Sequence, residues 1–140
     1  MPGIDTDGLS LPKRQTPASA GYDLCAAKVV EIAPGDIVLV PTGVRVRMPD
    51  DEYLVIYPRS SLAVKRRLAL ANAVGIIDAD YYGNEGNGGQ IFVPILNFGQ
   101  SLAIIERSER IAQGIFQRYS KVDEESTEFV KRTGGFGSTG

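Results

Sequence analysis

The chain has 140 residues, with 15 Lys and Arg against 17 Asp and Glu, no histidine and a single cysteine, Cys25. A net charge of −2 gives no global pull toward nucleic acid or membrane, so any anion site must be a local gathering of Arg and backbone N–H groups. Disulfides, zinc fingers, zinc deaminase centres and His-based nucleophilic triads are all excluded within one such chain.

Residues 1–17 carry Pro2, Pro12 and Pro17 and predict an extended start. Cys25, in "DLCAA", reads as core filling, because no cationic residue flanks it closely in sequence. "APGD" (33–36) and "PTG" (41–43) are turn chemistry, and "VRVRM" (44–48) alternates with the period of a half-buried strand. "EYLVIYP" (52–58) and "QIFVPILNF" (90–98) predict strands rich in β-branched and aromatic residues. Between them "SSLAVKRRLAL" (60–70) predicts one short helix of about two turns, with Ser60 or Ser61 as its cap. "RSERIAQGIF" (107–116) reads as strand, since Gly114 spoils its helical period. Residues 121–131 are charged and predict a solvated linker, followed by a flexible glycine-rich arm over 132–140. The expected fold is a single all-β domain over 1–140, a jelly-roll-like β-barrel with one short helix. With no 18-residue apolar run and no basic-then-apolar leader, the chain reads as soluble and cytoplasmic.

The last six residues, Gly135 to Gly140, spell G-x-G-x-x-G, the dinucleotide fingerprint, yet no helix is expected to follow. The tail makes sense beside four other segments: "AGYDLCAA" (20–27), "PRSSLA" (58–63), "NAVGIIDADYYG" (72–83) and "ERIAQGIF" (109–116). Each is weak alone. With "RTGGFGSTG" (132–140), and in this order, they resemble the five motifs of the trimeric deoxyuridine triphosphatases (dUTPases).

That resemblance implies a homotrimer with C-terminal arm exchange and shared active sites. It also implies Mg²⁺-assisted hydrolysis of dUTP to dUMP and pyrophosphate, which supplies dUMP for dTMP synthesis and limits uracil in DNA. Asp78 matches the catalytic aspartate that activates water, a role this composition leaves to a carboxylate; alone it would read as a turn residue. Asp80 is its near rival, expected to support the turn or trimer contacts. Tyr81 matches the ring packed on deoxyribose, where a 2′-hydroxyl finds no room, and Tyr82 is expected to be structural. Asn72 matches the reader of the uracil edge, because an amide offers both donor and acceptor. Gly75 and Ile77 belong to the same implied pocket. Arg59, Ser60, Ser61 and Gln113 match phosphate-binding positions. Asp23 matches the first-motif aspartate, which holds Mg²⁺ through water while phosphates bind the metal directly. In the tail, Arg132 would clamp the γ-phosphate and Phe136 would stack on uracil. Gly137 and Ser138 would wrap the phosphates with backbone N–H groups.

One stretch departs from the resemblance. "NEGNGG" (84–89) is inserted after Gly83, and reads as a longer hairpin tip or a surface for a protein partner, of the kind suspected in bacterial and phage members. A nucleotide-gated regulatory protein of the same fold is therefore one alternative. A dCTP deaminase is another, though its chemistry calls for a glutamate near the base where this loop presents Asp78.

Overall fold

The computed structural model describes residues 4–125 and 128–139. Its strands are β1 (Tyr22–Cys25), β2 (Val30–Ile32), β3 (Ile37–Pro41), β4 (Glu52–Pro58), β5 (Leu68–Leu70), β6 (Gly75–Asp78), β7 (Phe92–Asn97), β8 (Ala103–Ile105) and β9 (Arg110–Arg118). One helix, α1 (Ser60–Arg66), and one 3-10 turn (Ala79–Tyr81) interrupt them. Every strand pairing is antiparallel, in three sheets ordered β1-β9-β4-β6, β2-β8 and β3-β7-β5. The expected all-β fold with one short helix is present, and among the described residues the ladders do not close into a barrel.

All three sheets bury one apolar core. Leu24, Ile32, Val40, Ile56, Leu68, Ile95 and Ile111 belong to a single cluster drawn from both long sheets and the β2-β8 pair. Burying an aliphatic side chain of this size contributes about 1.5–3 kcal/mol. Asn97, only 1% exposed, stitches the sheets where apolar contact cannot. Its Nδ2 donates to the carbonyls of Ile32 and Ser101 at 2.8 Å each, and its Oδ1 accepts from the Gly99 N–H at 2.9 Å.

Two local expectations change. "VRVRM" does alternate, with Val44, Val46 and Met48 turned to the core and Arg45 and Arg47 exposed, but it joins no ladder. Its two arginines instead lie over the ring of Tyr82, at 5.1 and 5.0 Å, so cation–π contact replaces a neighbouring strand. Neither serine caps α1: Arg59 is the N-cap, in extended conformation, and no side chain caps the helix. Pro58 ends β4 just before it, and Arg67 ends α1 in the left-handed region (φ 54), with its N–H on the Ala63 carbonyl at 3.2 Å. Part of the 121–131 linker, residues 126 and 127, lies outside the described residues, as does Gly140 of the arm.

Candidate active site

Strand β4 is the spine of the site. On one side it pairs with β6, placing Ile56 opposite Gly75, and on the other with β9, placing Tyr57 opposite Gln113. A hollow of about 200 Å³ on the β6 side is lined by Asn72, Gly75, Ile77, Tyr81, Arg132 and Phe136, among others. Asn72 reaches it from a tight turn. The Val74 N–H bonds the Asn72 carbonyl at 2.6 Å around Ala73, whose φ of 60 is unusual for a residue with a side chain. Gly75 lets the two strands approach closely, since a Cβ there would press on Ile56 Cβ at 3.1 Å.

Asp78 ends β6 and lines an adjoining, wider hollow that shares Ile76 and Arg132 with the first. Its carboxylate is half-exposed. Arg132 Nη2 donates to Asp78 Oδ2 at 2.5 Å, and Arg132 Nε donates to Asp80 Oδ1 at 2.7 Å. The 3-10 turn sets both carboxylates within reach of one planar guanidinium. Asp80 thus has a sharper role than turn support: it shares the arm's arginine with Asp78. Gly135 is laid on the Tyr81 ring, with an added Cβ only 3.1 Å from Cε2. Ser138 Oγ accepts from the Gly134 N–H at 3.1 Å, so the expected phosphate wrap is here a turn closed within the arm, with Gly137 at φ 95.

Tyr81 is 5% exposed. It sits in the 3-10 turn, and Tyr82 beyond it takes the structural place under the two arginines. The inserted segment does not extend a hairpin, because β6 and β7 belong to different sheets. It folds back behind Tyr81. The Tyr81 hydroxyl donates to the Gln90 carbonyl at 2.8 Å and accepts from Asn87 Nδ2 at 2.8 Å. The loop also meets the arm, through Gly86 N–H to the Thr133 carbonyl at 2.8 Å, and the end of the linker, through Lys131 Nζ to Glu85 at 2.6 Å. The sequence signal for these contacts was only the density of Asn and Gly over 84–89.

The remaining site residues gather elsewhere. Asp23, Arg59, Ser60 and Gln113 line a hollow of about 180 Å³ that shares no lining residue with the two described above. Ser61 faces a fourth, with Arg59, Lys65, Arg66 and Arg110. Asp23, its side chain 12% exposed, lies between Arg59 Nε at 3.6 Å and Arg110 Nη1 at 3.1 Å. Gln113 donates to the Pro58 carbonyl at 3.4 Å and passes so close to Gly21 that a Cβ there would meet Oε1 at 2.4 Å. Arg110 also stands opposite Cys25 across the β1-β9 ladder, a cationic neighbour invisible in the local sequence. Burial nonetheless raises the Cys25 pKa, and Asp23 raises it further, so the thiol stays protonated and unreactive at neutral pH.

No three His, Cys, Asp or Glu side chains converge to cage a metal among the described residues. Each site carboxylate already faces an arginine, which suits a hard cation that arrives on a phosphate chain better than a resident one.

An aromatic hollow thus lies beside a half-exposed aspartate, with an Arg-Ser-Gln hollow across the same strand of this β protein. Residues 7–140 match the family described as dUTPase. The chain belongs to the dUTPase family. It is 48% identical over 134 residues to the deoxyuridine 5'-triphosphate nucleotidohydrolase of Lactococcus lactis subsp. lactis (strain IL1403), covering 95% of this chain and 89% of that one. The crystal structure of the Streptococcus mutans dUTPase superposes with a TM-score of 0.82 at 44% identity, over 86% of this chain and 97% of that one. At 21% identity the dUTPase of phage phi11 of S. aureus, solved with a structural Mg(II) ion, shares the fold, with a TM-score of 0.70 over 86% and 91% of the two chains. Magnesium dependence is general in this family. No helix among the described residues is long and apolar enough to cross a membrane.

Proposed function

We propose that this chain hydrolyses dUTP to dUMP and pyrophosphate. The observation that carries the reading is the adjacency of Asp78 to the hollow holding Asn72 and Tyr81, all three from the family's third motif. Asn72 pairs with the O4 and N3–H edge of uracil; cytosine offers the reversed pair and leaves buried groups unmatched, at about 1–3 kcal/mol each. The Tyr81 ring is the wall against the sugar. Gly75 and Ile77 complete the base pocket, and Phe136 closes it. Asp78 takes a proton from a water aligned with the α-phosphorus. The water oxygen bonds to phosphorus as the bridging bond to the β-phosphate breaks, and pyrophosphate departs in line.

Arg59, Ser60, Ser61 and Gln113 bind the phosphate chain, and Arg132, leaving its carboxylates, clamps the γ-phosphate. Gly137 and Ser138 close over the same phosphates as the arm reorganises. Magnesium carried on the triphosphate would neutralise its charge as a Lewis acid, with Asp23 holding one of the metal's waters. Base pocket and phosphate residues line separate hollows in one chain, which supports a homotrimer whose sites form between subunits; the arm rests on its own chain's base pocket, and its exchange onto a neighbour's site belongs to the proposed trimer. The chain thereby supplies dUMP and removes a DNA precursor that carries the wrong base, in the cytoplasm.

A pyrophosphate-release assay across dUTP, UTP, dTTP and dCTP, with and without Mg²⁺, tests the substrate. Release confined to dUTP is expected. Ammonia from dCTP without pyrophosphate would refute the hydrolase. Asp78→Asn should bind nucleotide at least as tightly, since one competitor for Arg132 is gone, and lose about 10²–10⁴-fold in kcat; wild-type turnover would unseat Asp78.

A further inference from the structure

We infer that Asn87, in the inserted loop, is a positioning residue that sets the sugar preference by fixing the Tyr81 ring. The inference rests on the proposed reading of Tyr81 as the wall against a 2′-hydroxyl. Rejecting one hydroxyl by contact demands a ring held to a fraction of an ångström, because a wall that can retreat admits the larger sugar.

Burial alone does not fix a tyrosine ring; its hydroxyl does so by using both of its roles. The Tyr81 hydroxyl gives its proton to the Gln90 carbonyl and takes one from Asn87 Nδ2, each at 2.8 Å. Asn87 is itself immobilised. Its Oδ1 accepts from Asn84 Nδ2 and from the Gly89 N–H, both at 2.9 Å. Asn84, 7% exposed, is tied to the tyrosine's own backbone through Nδ2 to the Tyr81 carbonyl at 2.8 Å. Asn84 Oδ1 then gathers the N–H groups of Gly86 and Asn87, at 3.0 Å each. The two amides form a closed bracket that begins at the Tyr81 main chain and returns to its hydroxyl.

Gly89 closes the bracket. It lies at φ 87, and a Cβ there would come within 2.8 Å of Gly83 N, the Tyr81 carbonyl oxygen and Tyr82 Cα. All three are backbone atoms and cannot step aside, so only glycine lets the loop press this closely on the tyrosine.

The test measures the ratio of kcat/KM for dUTP to kcat/KM for UTP. Asn87→Asp keeps the Oδ1 acceptor for Asn84 and Gly89 but turns Nδ2, which donates to the Tyr81 hydroxyl at 2.8 Å and to the Gln90 carbonyl at 3.4 Å, into a second acceptor. The hydroxyl's single proton can then serve only one side, so the variant carries the test even if Asn87→Ala disturbs the loop. The ratio should fall about five- to tenfold in Asn87→Asp, the scale of one lost hydrogen bond. It should fall no further when Asn87→Asp is added to Tyr81→Phe, which already lacks the hydroxyl. An unchanged ratio in Asn87→Asp, or an equal fall in the Tyr81→Phe background, overturns the positioning role. Tyr81→Ala separates the two levels. If it leaves the ratio intact, the sugar wall fails and the inference with it; if it collapses the ratio while Asn87→Asp does not, only the inference fails.

Discussion

Arg132 reaches back from the C-terminal arm and bonds Asp78, while its Nε holds Asp80. The arginine assigned to a phosphate and the carboxylate assigned to the attacking water are therefore partners in the same chain. While the guanidinium sits on Asp78 Oδ2, one oxygen of that carboxylate and one arm of the arginine are taken up by each other. On the proposed reading, triphosphate binding and release of the base are a single exchange, in which phosphate oxygens compete with two carboxylates for one cation.

Asp80→Asn tilts that exchange. With one carboxylate fewer the guanidinium is more easily drawn away, and KM for dUTP should fall about two- to fivefold, the range of an exposed ion pair. Steady-state pyrophosphate release across dUTP concentrations measures it. A KM that stays put or rises would show that Asp80 does not compete with substrate.

Site sharing predicts complementation. Asp78→Asn and Arg59→Ala are each expected to be inactive as pure proteins, one lacking the base and the other a phosphate donor. Co-expressed with different tags and purified as mixed trimers, they should regain activity, because some interfaces unite an intact Asp78 with an intact Arg59. Mixed trimers as inactive as their parents would place both residues in one subunit's site.

Truncation after Lys131 removes Arg132, Phe136 and the glycine run together. KM should rise and kcat should fall in the same variant, because on the proposed reading the arm both holds substrate and excludes water. Unchanged kinetics would make the arm a bystander.

Asn97→Ala probes the fold apart from the chemistry. It strips three hydrogen bonds from a site that is 1% exposed and orphans two carbonyls and an N–H. A loss of about 2–4 kcal/mol is expected. At this length that lowers Tm by roughly 6–12 °C, measured at one protein concentration. A shift under about 2 °C would mean water replaces the amide without cost.

Strands with β-branched runs and clear turn residues, such as β4 and β7, were legible because period and punctuation agree. "VRVRM" shows the limit: alternation reports which side chains turn inward, and whether a partner strand exists is decided elsewhere in the chain. The third motif was legible as a pocket, with Asn72, Gly75, Ile77 and Tyr81 brought together by a tight turn, strand β6 and the 3-10 turn after it. Asp80 and Asn87 were not. Their roles depend on Arg132 and on the Tyr81 hydroxyl, contacts across 52 and 6 positions that no local pattern encodes. Likewise the Arg110 beside Cys25 comes from strand register, which local sequence does not carry.

Asn87 is followed by Gly88, the pairing of residues in which a side-chain amide is lost most readily through cyclisation onto the next backbone nitrogen. In the folded loop that nitrogen is occupied, donating to the Asn84 carbonyl at 2.9 Å. The loop that holds Asn87 against the ring therefore also guards a chemically perishable spot. Protein aged warm enough to loosen the loop should gain a negative charge there and grow careless about ribose while its fold and its appetite for the deoxy substrate persist.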